Sequence, residues 1–456
     1  MNLLSLNPEL QRNLWLQWSP ARALLLPAVL ALIAAFIVVS SNGEYTVRSA
    51  LTNGFSFLAA VLVLPYGVYL SVGSIGWEIR ERTWDQQRLS SLGPWQMAWG
   101  KLLGATSYAW YGALLCAAIS LAASSRPAEH LGRLFCGLML GLAMQACGMA
   151  MRLHVLGARL VSGQTGGQAG DDRNLDSSLS MSWLALLPLF HALLLDDAFF
   201  LKNAWWALDW PPLWQQCAQA ALLLALGLLA LWRNMSAQLM VATRPWAWPV
   251  GIAALALLPG GYVAADGLNA PCAYALALAV LALVTGYLDL FSQPQGRLAW
   301  QALFWHARSG QYSRLLQALP LWPINAALAL LGSVAALMAS DRSGASALAF
   351  ALLVGALHLL RDAALVAFFA WREGARDPQY AASIAMLIAG LLLPGIVGNA
   401  MGAHLSLWLE PAAGLLQPHP ARALVLGSAC LHLALMAALL AWRWRASGMG
   451  RSPDVV

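Results

Sequence analysis

Residues 77–104 read WEIRERTWDQQRLSSLGPWQMAWGKLLG, the most charged continuous segment of a chain that is otherwise largely apolar. Glu78, Arg80, Glu81, Arg82, Asp85 and Arg88 fall within eleven positions, and Ser90-Ser91-Leu92-Gly93-Pro94 follows. Proline disfavours helix in the residue before it, and Gly-Pro is a turn signal. An apolar run resumes after Lys101. The pattern predicts a short polar helix, a turn, and a new membrane helix with Lys101 in its first turn. On composition alone such a charge run is a solvated face, so its setting in the chain decides how it is read.

That setting is a membrane protein. Sixty per cent of the 456 residues are hydrophobic, ten per cent are charged, and the mean hydropathy is +0.63, which excludes an ordinary soluble domain. A helix needs roughly 20 apolar residues to cross the hydrocarbon core. The chain offers about twelve such segments: 22–40, 52–74, 101–123, 132–158, 181–198, 213–232, 247–265, 271–290, 320–339, 346–371, 380–400 and 421–441. The expected fold is an all-α polytopic membrane protein. With the N-terminus on the cytoplasmic side, only Arg48, Arg126, Arg133, Lys202, Arg342 and Arg422 of the 26 lysines and arginines fall outside. The positive-inside rule therefore puts both termini in the cytoplasm. Trp77, Trp99, Trp232, Trp246, Trp322 and Trp371 lie near span ends, as interfacial tryptophans do. The net charge of +6 then reflects basic cytoplasmic loops rather than a nucleic-acid partner. The first residues lack the pattern of a removable signal peptide.

Asn7-Pro8-Glu9 suits a helix start, and residues 8–20 are amphipathic, with Trp15 and Trp18 suited to headgroups. A helix lying on the cytoplasmic surface is expected there, with Pro8, Glu9 and Arg12 in its first turns. Residues 159–180 are rich in Gly, Ser, Asp and Gln and read as a flexible cytoplasmic loop, with Asp171 and Asp172 as solvated turn residues. The aromatic segment 196–216 is either an outer interfacial loop or a pair of short re-entrant helices. Residues 297–318 form a second amphipathic basic helix ahead of a proline and a span, and Trp371 stands where Trp77 stood. The charged segment itself is not repeated. The expected organisation is therefore a six-span region over 1–235, two linking spans over 246–291 and a partial four-span repeat over 296–445.

Chemistry-bearing patterns are sparse. The six cysteines show no CxxC spacing and read as small core residues. No His pair has zinc-site spacing. Arg361-Asp362, inside a span, reads as a local ion pair near the inner boundary. A phosphate loop needs G-x-x-x-x-G-K-[ST], but Trp95 and Leu102 occupy two of its obligatory positions around Gly100-Lys101. No catalytic residue, cofactor site or metal site is expected in this chain, and it is not expected to be an enzyme.

The segment from Glu78 through Thr83-Trp84-Asp85, then Leu89-Ser90-Ser91-Leu92-Gly93-Pro94 and Gly100-Lys101-Leu102, resembles the coupling region of type-2 ABC transporter permeases. So does the Asn-Pro start of the amphipathic helix. Two departures are the missing glycine before Thr83 and Ser91 at a usual proline. The resemblance implies a cytoplasmic coupling helix after the second span, an elbow helix before the first, and residence in the inner (cytoplasmic) membrane. It implies an exporter driven by two copies of a separate ATPase, which supplies the ATP and Mg chemistry. It places the contact at Glu78, Arg80, Glu81, Arg82, Thr83, Trp84, Asp85 and Leu89. Two assemblies stay open: two copies of this chain, or a pseudo-dimer in which the second half partners the first. The alternative is a secondary transporter, which the partial duplication suits, or a membrane-embedded transferase without an ATPase partner.

Overall fold

The computed structural model describes residues 7–41, 43–81, 83–161, 205–241, 245–292, 297–371, 378–388, 396 and 422–446. The expected span 181–198, most of 380–400, the loop 162–180 with Asp171 and Asp172, residues 196–204 of the aromatic segment, and Arg82 lie outside these residues. Among those described, regular structure is helical with no strand. Nine helices are long and apolar enough to cross a membrane, or ten if one bent pair counts as a span. The chain is therefore a multi-pass, all-α membrane protein. It divides into two compact units, Met1–Ala204 with Leu208–Thr243, and Trp205–Ala207 with Arg244–Val456. The two linking spans and the four-span segment expected from the sequence fall in the same unit.

In the first unit, α1 (Pro8–Gln17) precedes α2 (Pro20–Ser40), which Ser19 caps through Arg22 N at 3.3 Å. A long rod follows, made of α3 (Glu44–Val61), a π-helical turn at Leu62–Tyr66 and α4 (Gly67–Arg80). Its apolar run, Thr46–Arg80, is 35 residues long. At 1.5 Å per residue that is about 50 Å, more than the roughly 30 Å hydrocarbon core, so the rod is longer than a single perpendicular crossing needs. Next come α5 (Trp84–Arg88), α6 (Pro94–Ala105), α7 (Ser107–Ala123), α8 (Pro127–Val161) and α9 (Pro212–Gln238).

The structure corrects two expectations here. The third span does not begin at Lys101. Its helix starts at Pro94 and bends by 56° into α7, because Lys101 is neutralised inside the protein rather than held in the interface. The cysteines are not all free either: Cys136 of α8 and Cys217 of α9 form a disulfide with Cα atoms 5.1 Å apart. The two helices pack side by side, with a Cβ on Gly227 reaching 2.9 Å from the Ala143 carbonyl. The core of this unit joins Ile75, Trp84, Met97, Leu102, Met149, Leu153, Leu231 and Met235. It thus ties α5 to four longer helices.

The second unit contains α10 (Ala247–Leu255), α11 (Leu257–Ala265), α12 (Ala270–Ser292), α13 (Arg297–Arg308), α14 (Tyr312–Ala318), α15 (Leu321–Ala339), α16 (Ser343–Ala370), α17 (Pro378–Leu387) and α18 (Arg422–Ala446). Gly332 lets α15 approach α12, since a Cβ there would lie 2.9 Å from the Ala275 carbonyl. Close approach at small residues is how membrane helices associate without a hydrophobic driving force. Asp289 Oδ2 accepts from Trp322 N at 2.7 Å at the start of α15, which favours an acid at the positive end of a helix. Arg361 pairs with Asp362 at 2.8 Å, as expected from the sequence, and Tyr287 donates to the other carboxylate oxygen at 2.9 Å.

Candidate functional site: a buried ion cluster under the charged segment

The charged segment is built from three pieces. α4 runs on to Arg80, so Glu78 belongs to the C-terminal end of the long rod. A turn in which Thr83 N donates to the Glu78 carbonyl at 2.9 Å then leads into the single turn of α5. The chain reverses at Ser90–Gly93. Gln96 Oε1 accepts from Gly93 N at 3.2 Å at the start of α6, where Pro94 sits in the first turn. Proline costs nothing there because its missing N–H would have had no partner.

Against this hairpin lies α1. Asn7 caps it, its Oδ1 accepting from Glu9 N at 3.1 Å and Leu10 N at 3.2 Å, while its Nδ2 donates to the Gln96 carbonyl at 2.8 Å. Substituting such a cap with alanine typically costs about 1 kcal/mol. Gly100 and Gly104, four apart on α6, form the seat. A Cβ on Gly100 would stand 2.7 Å from Glu9 Cβ, and one on Gly104 2.6 Å from Asn13 Cβ. The face of α1 turned to the protein is the polar one, with Glu9 and Asn13 buried, while Trp15 and Leu16 are exposed. In a membrane protein that places the apolar side of α1 where lipid can cover it.

At the centre stands Lys101, fully buried. Its Nζ donates to Glu9 Oε1 at 2.8 Å, to Gln87 Oε1 at 2.7 Å and to Glu78 Oε2. Three oxygens match the three protons of an ammonium group. The Trp84 ring lies beneath it with its centroid 5.5 Å away, within cation–π range. Arg12 binds the same two acids, through Glu9 Oε1 at 2.8 Å and Glu78 Oε1. Asn13 Nδ2 donates to Glu9 Oε1 at 2.9 Å. Two carboxylates thus face two cations, so the site is neutral as a whole. Burial by itself would raise the Glu9 carboxyl, but the Lys101 charge and hydrogen bond, followed by Arg12 and Asn13, outweigh it and hold the group below its usual 4.5.

Of the residues singled out in the sequence, Glu9, Arg12, Glu78 and Trp84 meet in this cluster, and Pro8 starts the helix that delivers two of them. Trp84 faces inward and is buried, so it shapes the segment from beneath instead of contributing open surface. Thr83 closes the turn, its Oγ1 donating to the Glu78 carbonyl at 3.3 Å. Glu81 accepts from Trp77 Nε1 at 3.1 Å. Arg80 ends α4. Asp85 and Leu89 point away from the protein, with Leu89 88% exposed. Arg88 fixes the far side, donating from Nε to the Gln238 carbonyl at the end of α9 at 2.8 Å. Sequence reasoning placed Lys101 only at a helix start and did not single out Gln87 or Asn13. The Gly-Lys-Leu-Leu-Gly spacing was the available signal, since small residues four apart mark close helix approach. Among the described residues, no group of three His, Cys, Asp or Glu side chains could hold a metal ion.

The chain matches no family model, no curated protein and no solved structure.

Proposed function

We propose that this chain is the membrane subunit of a type-2 ABC exporter, and that a separate ATPase docks on residues 77–100. One observation carries the reading. A short helix, α5, is braced from below by a neutral ion cluster in which Lys101 gives all three of its protons to Glu9, Glu78 and Gln87, and the segment presents Asp85 and Leu89 outward. Exposed ion pairs contribute under about 1 kcal/mol each, so a docking element needs a rigid base more than it needs charges. Because Glu78 ends the long rod, Gln87 lies on α5 and Glu9 on α1, a push on α5 reaches α1, α4 and α6 together.

The disulfide supports the orientation. Cys136 lies seventeen residues along α8 from Leu153, which packs beneath Trp84. That is about 25 Å of helix, close to the thickness of the hydrocarbon core. Disulfides persist in oxidising compartments, which supports reading the opposite end, with Lys101 and α5, as the cytosolic one. The mechanism is mechanical: closure of two ATPase subunits on ATP moves α5, and the spans rock around a path between them. Such a device requires a partner that interacts differently with two states of the chain.

The test is co-purification with an ATP-binding cassette subunit, together with its ATP hydrolysis rate. Leu89→Asp and Asp85→Arg, both on the outward side, are expected to lower assembly and coupled hydrolysis while leaving the fold intact. Unchanged assembly with unchanged hydrolysis in both variants refutes the proposal.

A further inference from the structure

The long rod of the first unit is not a uniform helix. At Leu62–Tyr66 it widens into a π turn that contains Pro65. Gly67 N donates to the Leu62 carbonyl, five residues back. In an α-helix that N–H would serve Val63, four residues back. The slip leaves the Val63 carbonyl without its helical donor in the middle of the membrane. A buried carbonyl left unpaired is destabilising.

Another helix supplies the missing donor. Gln145 of α8, fully buried, donates from Nε2 to the Val63 carbonyl at 2.8 Å. Its Oε1 accepts from Trp110 Nε1 of α7 at 3.1 Å. Ser71, one turn into α4, donates to the Gln145 carbonyl at 3.3 Å and to that of Val68 at 2.9 Å. Two glycines make room. A Cβ on Gly67 would fall 2.2 Å from Gln145 Nε2, and one on Gly141 would fall 2.0 Å from Val63 Cγ1. The π turn is thus seated in a site shaped for it on α7 and α8.

We propose that Leu62–Tyr66 is the flexion point of the rod and that the Gln145 amide is its latch. Two donors are within reach of the Val63 carbonyl, the Gln145 amide from α8 and Gly67 N from the rod itself. With Gln145 on the Val63 carbonyl, the rod keeps the π register. With Gly67 N on that carbonyl, the turn closes to a proline-kinked α-helix, in which Pro65 gives the Val61 carbonyl no donor, and α4 rotates relative to α3. Both arrangements satisfy the carbonyl, which gives the element two discrete states instead of a continuous bend. Insertions of this kind recur at functional sites in helices. The consequence reaches the far end of α4, where Glu78 enters the ion cluster. The latch stands whatever partner binds α5.

The test uses the full chain in lipid nanodiscs, with alanine replacing the free Cys116, Cys147, Cys272 and Cys430. Spin labels go at Ser49→Cys on α3 and Gly73→Cys on α4, where a new Cβ meets open space. The unmodified latch is expected to give one narrow distance distribution. Gln145→Leu removes the donor, and Gly67→Ala expels the amide while keeping it in the chain. Each is expected to shift or split the distribution, and Gly67→Ala carries the test if Gln145→Leu does not fold. A distribution unaltered in a folded Gly67→Ala chain overturns the proposal.

Discussion

Replacing Lys101 by methionine tests the ion cluster most directly. Methionine keeps much of the length and apolar stem of lysine and removes only the charge and its protons. Three hydrogen bonds disappear with it, to Glu9, Glu78 and Gln87, as does the contact over the Trp84 ring. Arg12 is left to balance two carboxylates, Glu9 with 5% and Glu78 with 12% of the side chain exposed. Stripping one partner from a buried ion pair costs about 3–5 kcal/mol, chiefly because the remaining charge is uncompensated. That corresponds to roughly two to three and a half powers of ten in the unfolding equilibrium. The assay is reversible unfolding in mixed micelles, read by tryptophan fluorescence. A double-mutant cycle with Glu78→Gln separates charge imbalance from lost packing. Lys101→Met with Glu78→Gln restores neutrality, so the pair is expected to cost less than the two single changes together, by about 1–3 kcal/mol. A loss below about 1 kcal/mol for Lys101→Met, or a coupling below about 0.5 kcal/mol, refutes the view that the cluster braces α5.

Two further outcomes follow from the same geometry. Gly104→Ala drives a methyl to 2.6 Å from Asn13 Cβ and is expected to destabilise the chain by about 1–3 kcal/mol, the usual cost of overpacking; thermal unfolding in detergent checks it. Glu9, held below 4.5 by Lys101 and Arg12, contributes stability that is present in full above 4.5 and fades as pH falls through its lowered folded value. The gap in unfolding midpoint between wild type and Glu9→Gln should therefore be constant near neutrality and close on the acid side of 4.5; a gap that persists there contradicts the assigned partners.

Hydropathy made most of the architecture readable before any coordinates. The spans at 22–40, 213–232, 271–290 and 320–339 correspond to α2, α9, α12 and α15 within a few residues, because membrane helices must be apolar along their length. The start of α6 was not readable for the same reason. A lysine interrupts an apolar window, so the window places the boundary at Lys101, although the helix begins at Pro94. What neutralises that lysine is Glu9, 92 positions away, and Glu78, 23 positions away, and no local pattern links them. Glu9 and Arg12 were visible as elbow-helix residues and Glu78 as part of the docking segment, but not as partners of one lysine. The polar face of α1 also reads from sequence as the wet face. In the fold it is the buried one, because its partner is charged.

The bridge between Cys136 and Cys217 also has a bearing on how the protein is made. The two cysteines are 81 residues apart, which at about 5–20 residues per second places their synthesis roughly 4–16 s apart. During that interval α8 is already in the bilayer with a thiol awaiting its mate, and only the arrival of α9 lets the covalent seam close. Closure of this seam therefore waits on the synthesis of α9 and on an oxidant. Without that oxidation, α8 and α9 would be joined by packing alone.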